Sequence, residues 1–227
     1  FSIDDIILLG EHLDLEKVIN KDNNILDIGQ NLGFDNGEKM EKLIKSIIKS
    51  KMKKIDITFI ELYEYNNILF NVLASNLTEN RSEYFNKDIT PTMNVWEAIR
   101  ISCNIPLIFS PYKYKDNYYM DGALNSCSTD YFKDDKRSLG LTICNFYNIK
   151  NDFNSLLGYI KNILYYPIRQ IKINNININN VLDLSCNKTL KYEYNITLTQ
   201  EQKNNLINNG YEKTKKYLPK ILEYINS

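Results

Sequence analysis

The stretch over residues 91–122 constrains the fold most, because it combines a helix start, a proline and an acidic residue at a predicted strand end. Asn94 and Glu97 have the spacing with which two side chains can each cap a free backbone N–H group at a helix N-terminus. Apolar residues then recur at helical spacing. Pro106 disfavours helix at the residue before it. We therefore expect a helix that begins after Asn94 and ends near Asn104.

Two strands follow this helix, and the second leads directly into an acidic residue. The apolar run over 105–109 predicts a buried strand, residues 115–117 predict a turn, and 118–120 predict the next strand. Asp121 then lies at a strand end, where α/β folds place ligands, and Gly122 lets another backbone segment approach closely. An Asp-Gly pair alone is most often a hairpin turn, but the turn at 115–117 already serves this strand pair. We therefore interpret Asp121 as a functional residue.

The segment VWEAIRISCNIP, followed by Asp121, Gly122 and Ala123, resembles the distal half of a patatin-like phospholipase domain. In that family a helix of this type precedes an Asp-Gly-Gly or Asp-Gly-Ala motif. Less specific similarities lie at FSIDDI, at LGFDNGEKMEKLIKSII and at TLTQEQKNNLINNGYEKTKKYL, so the resemblance covers most of the chain. It implies a patatin-like fold and a lipid acyl hydrolase with a Ser–Asp dyad. In that mechanism Asp121 deprotonates a serine, which attacks a phospholipid or another lipid ester.

The chain departs from the family in one respect, because the Gly-x-Ser-x-Gly nucleophile elbow occurs nowhere in its 227 residues. In the family, this motif and a Gly-rich oxyanion loop both precede the region that the sequence resembles. We therefore expect residues 1–227 to form a single, incomplete patatin-like domain that lacks its N-terminal strand and nucleophile elbow and is inactive by itself. After the motif the family commonly has Asn-x-Pro, whereas this chain has Asn125, Ser126, Cys127 and Ser128.

Helical stripes and short apolar runs alternate along the whole chain, without repeats or an internal boundary. That pattern predicts an α/β fold in which helices flank a mostly parallel central sheet. The predicted helices outside the central block cover residues 2–9, 40–48, 58–65, 153–164 and 199 onward, with a kink or break at Pro219. The predicted strands cover 68–74, 83–86, 138–146 and 181–185. Capping pairs are predicted for Ser2 with Asp5, Thr58 with Glu61 and Thr199 with Gln202.

Several other functions have no support in the sequence. The formal net charge is zero, so no overall field favours nucleic acid, and no Gly-rich nucleotide-binding loop is present. His12 is the only histidine, and it lacks the pattern of a Ser-His-Asp triad. No cluster of His and Cys has the spacing of metal ligands. We therefore expect neither a metal nor a cofactor.

The sequence also bears on where the protein acts. No apolar run approaches the length needed to span a bilayer. Four scattered cysteines favour free thiols in a reducing compartment; they are Cys103, Cys127, Cys144 and Cys186. We expect a cytoplasmic protein, with peripheral membrane contact left open.

Two functions stay open at this point. The whole protein is either a lipid acyl hydrolase or a non-catalytic patatin-fold protein that binds lipid or a partner. A Gly-x-Ser-x-Gly motif encoded upstream of Phe1 would favour the enzyme. If the first strand and the elbow are absent, apolar surface near residues 68–74 and 138–146 is expected to be exposed.

Overall fold

The structure is a computed structural model that describes residues 2–13, 17–19, 32–124, 138–142, 154–155, 158–160, 162–163, 166, 181–184 and 199–226. The chain divides into two compact units, the first made of residue 1 with Asp14–Asn125 and the second of Ser2–Leu13 with Ser126–Ser227. The described elements are, in chain order, α1 (Ile3–His12), β1 (Gly33–Asp35), α2 (Glu38–Met52), α3 (Phe59–Asn66), β2 (Val72–Asn76), β3 (Arg81–Phe85), α4 (Val95–Ser102), β4 (Leu107–Phe109), β5 (Tyr112–Tyr114), β6 (Asn117–Asp121), a 3-10 turn (Gly122–Leu124), β7 (Gly140–Thr142), β8 (Val181–Asp183) and α5 (Gln200–Asn226).

Four strands of the first unit form an antiparallel sheet in the order β3-β2-β6-β5. Tight turns explain its two hairpins, because residues 77–80 join β2 to β3, and Lys115 with Asp116 join β5 to β6. Strand β2 is buried along its whole length. The expectation of a mostly parallel sheet is wrong for this sheet, since strands joined by short turns pair antiparallel.

Parallel pairing occurs at two other places among the described strands. In the first unit β1 pairs with β4, with Gly33 opposite Leu107 and Asp35 opposite Phe109. In the second unit β7 pairs with β8. Parallel neighbours need a long crossover, and the segment between β1 and β4 contains α2, α3 and α4. Parallel strand pairs together with helices confirm the predicted α/β class.

Helices α2 and α4 both contribute to the buried apolar cluster of the first unit, together with β2. Ile44 and Ile48 are the buried residues of α2, and Val95, Ala98 and Ile101 belong to the buried face of α4. Their spacing of three and four residues produces one apolar stripe per helix. Burying a large aliphatic side chain stabilises a fold by roughly 1.5–3 kcal/mol. This stripe therefore fixes α4, and with it the segment that leads to Asp121.

The predicted capping pairs form at three helix starts. In each pair, the hydroxyl of the first residue accepts a hydrogen bond from the backbone N–H group three residues later, and the side chain of that later residue accepts one in return. The pairs are Ser2 with Asp5, Thr58 with Glu61 and Thr199 with Gln202. The last of these helices, α5, continues through Pro219, so the alternative of a break at that residue is wrong.

Helix α4 has nearly the predicted bounds but not the predicted cap. It begins after Asn94 and ends at Ser102, and the Asn94 side chain makes no capping hydrogen bond. Glu97 contacts another element instead, because its Oε1 atom accepts a hydrogen bond from the Tyr112 hydroxyl at 3.1 Å. The hydrogen bond with Tyr112 therefore takes the place of the predicted helix cap.

The strand predicted over 68–74 forms later, as β2. Helix α3 extends to Asn66, and Asn67 then adopts the left-handed conformation with φ 54°. Residues 68–70 lie outside the strand, with Ile68 63% exposed. Phe70 stacks on Phe59 with ring centroids 6.1 Å apart. Exposed apolar surface was predicted for this region and is confirmed at 68–70, but β2 itself is buried.

The second unit is described in fewer segments. Helix α1 runs through Gly10 to His12, beyond its predicted end, and Lys203 of α5 donates hydrogen bonds to the carbonyl oxygens of Glu11 and Leu13, both at 2.8 Å. Leu139 and Leu141 are exposed, as predicted.

Parts of three sequence predictions lie outside the described residues. Within the predicted helix over 153–164, residues 158–160 and 162–163 are helical, and the strands predicted at 138–146 and 181–185 are described as β7 and β8. None of the described helices is both long and apolar enough to cross a membrane.

Candidate functional site

Asp121 is the last residue of β6, as the sequence predicted. It lies opposite Ala74 of β2 in the antiparallel register. Its backbone N–H group donates to the carbonyl oxygen of Asn104 at 3.0 Å, and its carbonyl oxygen accepts from the Ser75 hydroxyl at 3.0 Å. The main chain of Asp121 is therefore held from two sides, by β2 and by Asn104, the second residue after α4.

The carboxylate of Asp121 helps to form the turn that follows it. Its Oδ1 atom accepts a hydrogen bond from the backbone N–H group of Ala123 at 2.8 Å, in the manner of an Asx turn. The side chain is partly exposed. An ionised carboxylate has about four positions that can accept hydrogen bonds, and the bond to Ala123 uses one of them.

Gly122 is required by packing. A Cβ atom at this position would lie 2.5 Å from the carbonyl oxygen of Leu73 and 2.6 Å from its Cγ atom. Leu73 belongs to β2, which is paired on both sides. The predicted motif of Asp121, Gly122 and Ala123 is thus one local structure, in which the glycine allows the turn to pack directly against β2.

Cys103 is a free, partly buried thiol at the C-terminal end of α4. Burial raises the pKa of the Cys103 thiol, and the negative charge of Asp121 raises it further. The thiol is therefore protonated at neutral pH.

Asn104 was not predicted as a site residue, but its side chain connects the strands around Asp121. It is fully buried, and its Nδ2 atom donates to the carbonyl oxygens of Ser110 and Tyr119 at 2.9 and 3.3 Å. The same nitrogen lies 3.3 Å from the sulfur of Met120. One amide thereby joins Ser110, which directly follows β4, to the two residues that precede Asp121.

Arg100 is the second residue that sequence reasoning missed. It is 1% exposed, and its guanidinium donates to Oδ1 of Asn104 at 2.7 Å and to the carbonyl oxygens of Gly37 and Asn36 at 3.3 and 3.1 Å. Burial lowers the pKa of Arg100, yet an arginine stays charged at neutral pH. Arg100 also lies over the Phe109 ring, 4.7 Å from its centroid. The structure thus reveals a buried charged side chain that is held by several hydrogen bonds, which the sequence pattern did not indicate.

Other candidate groups belong to the second unit or fall outside the described part of the chain. His12 belongs to α1 of the second unit, where its Nδ1 atom lies 3.0 Å from the Leu8 carbonyl oxygen. Among the described residues, no three His, Cys, Asp or Glu side chains are grouped so that they could hold a metal ion. Residues 125–128 and the other three cysteines lie outside the described residues.

The chain is similar to a known protein family and to two curated viral proteins. The family model described as Patatin-like phospholipase matches residues 7–129, more than half of the chain. The "Probable lipid hydrolase 463L" of Invertebrate iridescent virus 6 is 32% identical over 92 residues, which are 40% of this chain and 32% of that protein. The "Uncharacterized protein R571" of Acanthamoeba polyphaga mimivirus is 31% identical over 149 residues, 64% of this chain and 48% of that protein.

A solved structure is similar as well. VipD from Legionella pneumophila aligns with a TM-score of 0.47 and 18% identity, over 97% of this chain and 45% of that chain. The chain spans from a third to a half of the length of the curated relatives that it matches.

Proposed function

Because the chain belongs to the patatin-like phospholipase family, we propose that the whole protein is a lipid acyl hydrolase in which Asp121 is the base of a Ser–Asp dyad. The observation that carries the proposal is the Asp-Gly-Ala turn at the end of β6, with the main chain of Asp121 held by Asn104 and Ser75. A carboxylate fixed in this way keeps a constant position, as a general base needs. The name of the iridovirus relative, a probable lipid hydrolase, supports lipid as the substrate class.

In the proposed reaction, the Asp121 carboxylate accepts the proton of a serine hydroxyl as the serine oxygen attacks the carbonyl carbon of a lipid ester. The protonated Asp121 gives this proton to the leaving alkoxide, so the alcohol departs, an acyl-enzyme forms and the carboxylate is regenerated. The carboxylate then takes a proton from a water that attacks the acyl carbonyl, and it returns that proton to the serine oxygen as the fatty acid leaves. The 227 residues contain no Gly-x-Ser-x-Gly motif, so the proposal assigns the serine to a part of the protein outside them. The 227-residue chain alone is accordingly proposed to be inactive.

The protonation chemistry sets a condition on this role. An ordinary aspartate has a pKa of about 3.9 and is a weak base in water. It can deprotonate a serine only when the two groups are hydrogen-bonded in a site that excludes solvent. Negative charge develops on the ester oxygen in this reaction, and backbone N–H groups must stabilise it. The resemblance to the family implies that a Gly-rich loop supplies these N–H groups.

The remaining parts of the proposal concern context. We propose that residues 1–227 belong to one patatin-like domain, that phospholipid or another lipid ester is the substrate, and that the protein works in the cytoplasm with peripheral contact to a membrane. The exposed apolar residues at 68–70 are consistent with contact to an apolar surface.

The test is ester hydrolysis by the protein at its full natural length. Asp121→Asn keeps the size of the side chain and removes the proton-accepting charge, so we expect turnover of a phospholipid or a long-chain ester to fall by about 10²–10⁴-fold. Asp116→Asn is the matched control, because Asp116 lies exposed in the β5–β6 turn five residues earlier. Its turnover should equal that of the unmodified protein. An Asp121→Asn variant that keeps more than half of the turnover would remove the base assignment.

A second function is favoured by the missing serine motif, namely a non-catalytic protein that binds lipid or a partner. A fluorophosphonate probe followed by mass spectrometry separates the two possibilities. Labelling of one serine in the full-length protein supports the enzyme. Binding to lipid vesicles without serine labelling or turnover supports the non-catalytic protein. Labelling of Ser102, Ser110 or Ser126 would place a nucleophile within this chain and contradict the proposed division of the dyad.

A further inference from the structure

We propose that Arg100 is a positioning residue for Asp121, and that it acts through the side chain and the carbonyl group of Asn104. The kinetic consequence rests on the function proposed above, whereas the structural consequence does not. Arg100 touches neither Asp121 nor the turn after it through any of its hydrogen bonds, which go to Asn104, Gly37 and Asn36. Its effect on the site is therefore indirect.

The first step is the burial of the guanidinium. Removing a charge from water is costly unless hydrogen bonds satisfy it, and Arg100 is among the largest fully buried side chains of the described chain. The planar fork presents five N–H donors in fixed directions. Its three acceptors are all uncharged oxygens, at 2.7, 3.1 and 3.3 Å. The directions of the N–H groups, and not only the positive charge, therefore determine whether the three hydrogen bonds form.

The second step is the orientation of the Asn104 amide. Because Arg100 can only donate, the amide must turn its Oδ1 atom toward the guanidinium. The NH₂ end of Asn104 then points the other way, toward the carbonyl oxygens of Ser110 and Tyr119. With the amide reversed, its NH₂ group would face an N–H group of Arg100, and its single oxygen would face the two carbonyl oxygens of Ser110 and Tyr119. The guanidinium thus selects the one orientation in which Asn104 connects the strands.

The third step reaches Asp121 itself. The carbonyl oxygen of Asn104 accepts the N–H group of Asp121 at 3.0 Å, so the residue that Arg100 fixes also holds the main chain of the proposed base. On its other side Arg100 fixes the carbonyl groups of Asn36 and Gly37. Gly37 has φ +78°, and a Cβ atom there would overlap the guanidinium. Arg100 therefore holds the loop before α2 directly, and it holds the end of β6 through Asn104.

A purely structural arginine would also destabilise the fold when replaced, so the test needs a local readout. Arg100→Lys retains the charge but replaces the planar fork by a single ammonium, which cannot reproduce the three directions. Asn104→Asp offers Arg100 a charged acceptor, which strengthens that bond, but it removes both donations to Ser110 and Tyr119. The control is Ile48→Ala, a buried change on α2, studied at a temperature that gives it the same fraction unfolded.

The measurement is amide hydrogen exchange of residues 119–123 in the full-length protein, together with kcat and KM. We expect exchange at the Asp121 N–H group to rise at least tenfold more in Arg100→Lys and in Asn104→Asp than in Ile48→Ala. In the same two variants we expect kcat to fall at least tenfold while KM stays within about twofold.

Each outcome decides the proposal. If exchange over 119–123 changes no more than in the control, Arg100 does not position Asp121, whatever the activity. If exchange rises but kcat of an active enzyme is unchanged, Arg100 is structural only, and the positioning role is refuted. If the full-length protein hydrolyses nothing, exchange alone decides, so failure of the proposed function is distinguished from failure of this inference.

Discussion

The close approach of Gly122 to β2 makes Gly122→Ala the most direct test of the architecture around Asp121. The added methyl group would lie 2.5, 2.6 and 2.7 Å from the O, Cγ and C atoms of Leu73. Carbon atoms pack best at about 3.5–4.0 Å, so the overlap is about 1 Å. Two of the three atoms are backbone, and they belong to a strand paired with β3 on one side and β6 on the other. The strand cannot move away without losing hydrogen bonds.

The expected cost follows from this geometry. Overpacking a close-packed interior by a methyl group destabilises a protein by about 1–3 kcal/mol. Because backbone and not a flexible side chain is in the way, we expect the upper end, about 3 kcal/mol. That value corresponds to a roughly 150-fold change in the unfolding equilibrium. Gly122 has a negative φ angle, so backbone strain adds nothing to this figure.

The assay combines urea unfolding with amide exchange over residues 72–76 and 119–123. Gly210→Ala is the matched control, because Gly210 lies within α5 and a Cβ atom there meets nothing within 4 Å. In a helix interior, alanine is more favourable than glycine by about 1 kcal/mol, so the same substitution should stabilise at 210 and destabilise at 122. A Gly122→Ala protein within about 0.5 kcal/mol of the unmodified protein, with unchanged exchange in both segments, would refute the packing described here.

Three further predictions concern single groups. Burial and the charge of Asp121 raise the pKa of Cys103, so iodoacetamide should alkylate this thiol more slowly than a free cysteine at pH 8, and Asp121→Asn should speed the reaction, as followed by mass spectrometry. Burial raises the pKa of Glu97, so the folded state binds its proton more tightly, and stability from this group is lost as pH rises. Thermal unfolding should therefore show a gain for Glu97→Gln that grows from pH 4 to pH 8, with exposed Glu64→Gln as the control. Thr58→Ala should lower the free energy of unfolding by about 1 kcal/mol through loss of the α3 cap, measured by urea unfolding.

The strand-end position of Asp121 was predictable because its signals are local. The turn at Lys115 and Asp116, the short run of β6 and the following glycine all lie within a few residues of one another. Local patterns of this kind also predicted the capping pairs of α1, α3 and α5 correctly. A cap or a tight turn depends on side chains that are near in sequence, and tertiary structure rarely needs to be known.

Arg100 could not be predicted, because its partners are far away along the chain. Two of its hydrogen bonds go to Asn36 and Gly37, more than 60 residues earlier. Within the helical pattern of α4 it reads as an ordinary polar position, and Asn104 reads as a helix end. The contact of β2 with β6 could not be predicted for the same reason, because neither strand alone encodes it.

The pairing of β6 with β2 also orders the events of folding. The β2–β3 and β5–β6 hairpins connect neighbours in sequence, and such hairpins form within about 1–10 μs. Ser75 and Asp121 are 46 residues apart, and α4 lies in the chain between them. Non-local contacts of this kind are slow to form. We therefore expect Asp121 to reach its final position late in the folding of the first unit, after the two hairpins that it joins.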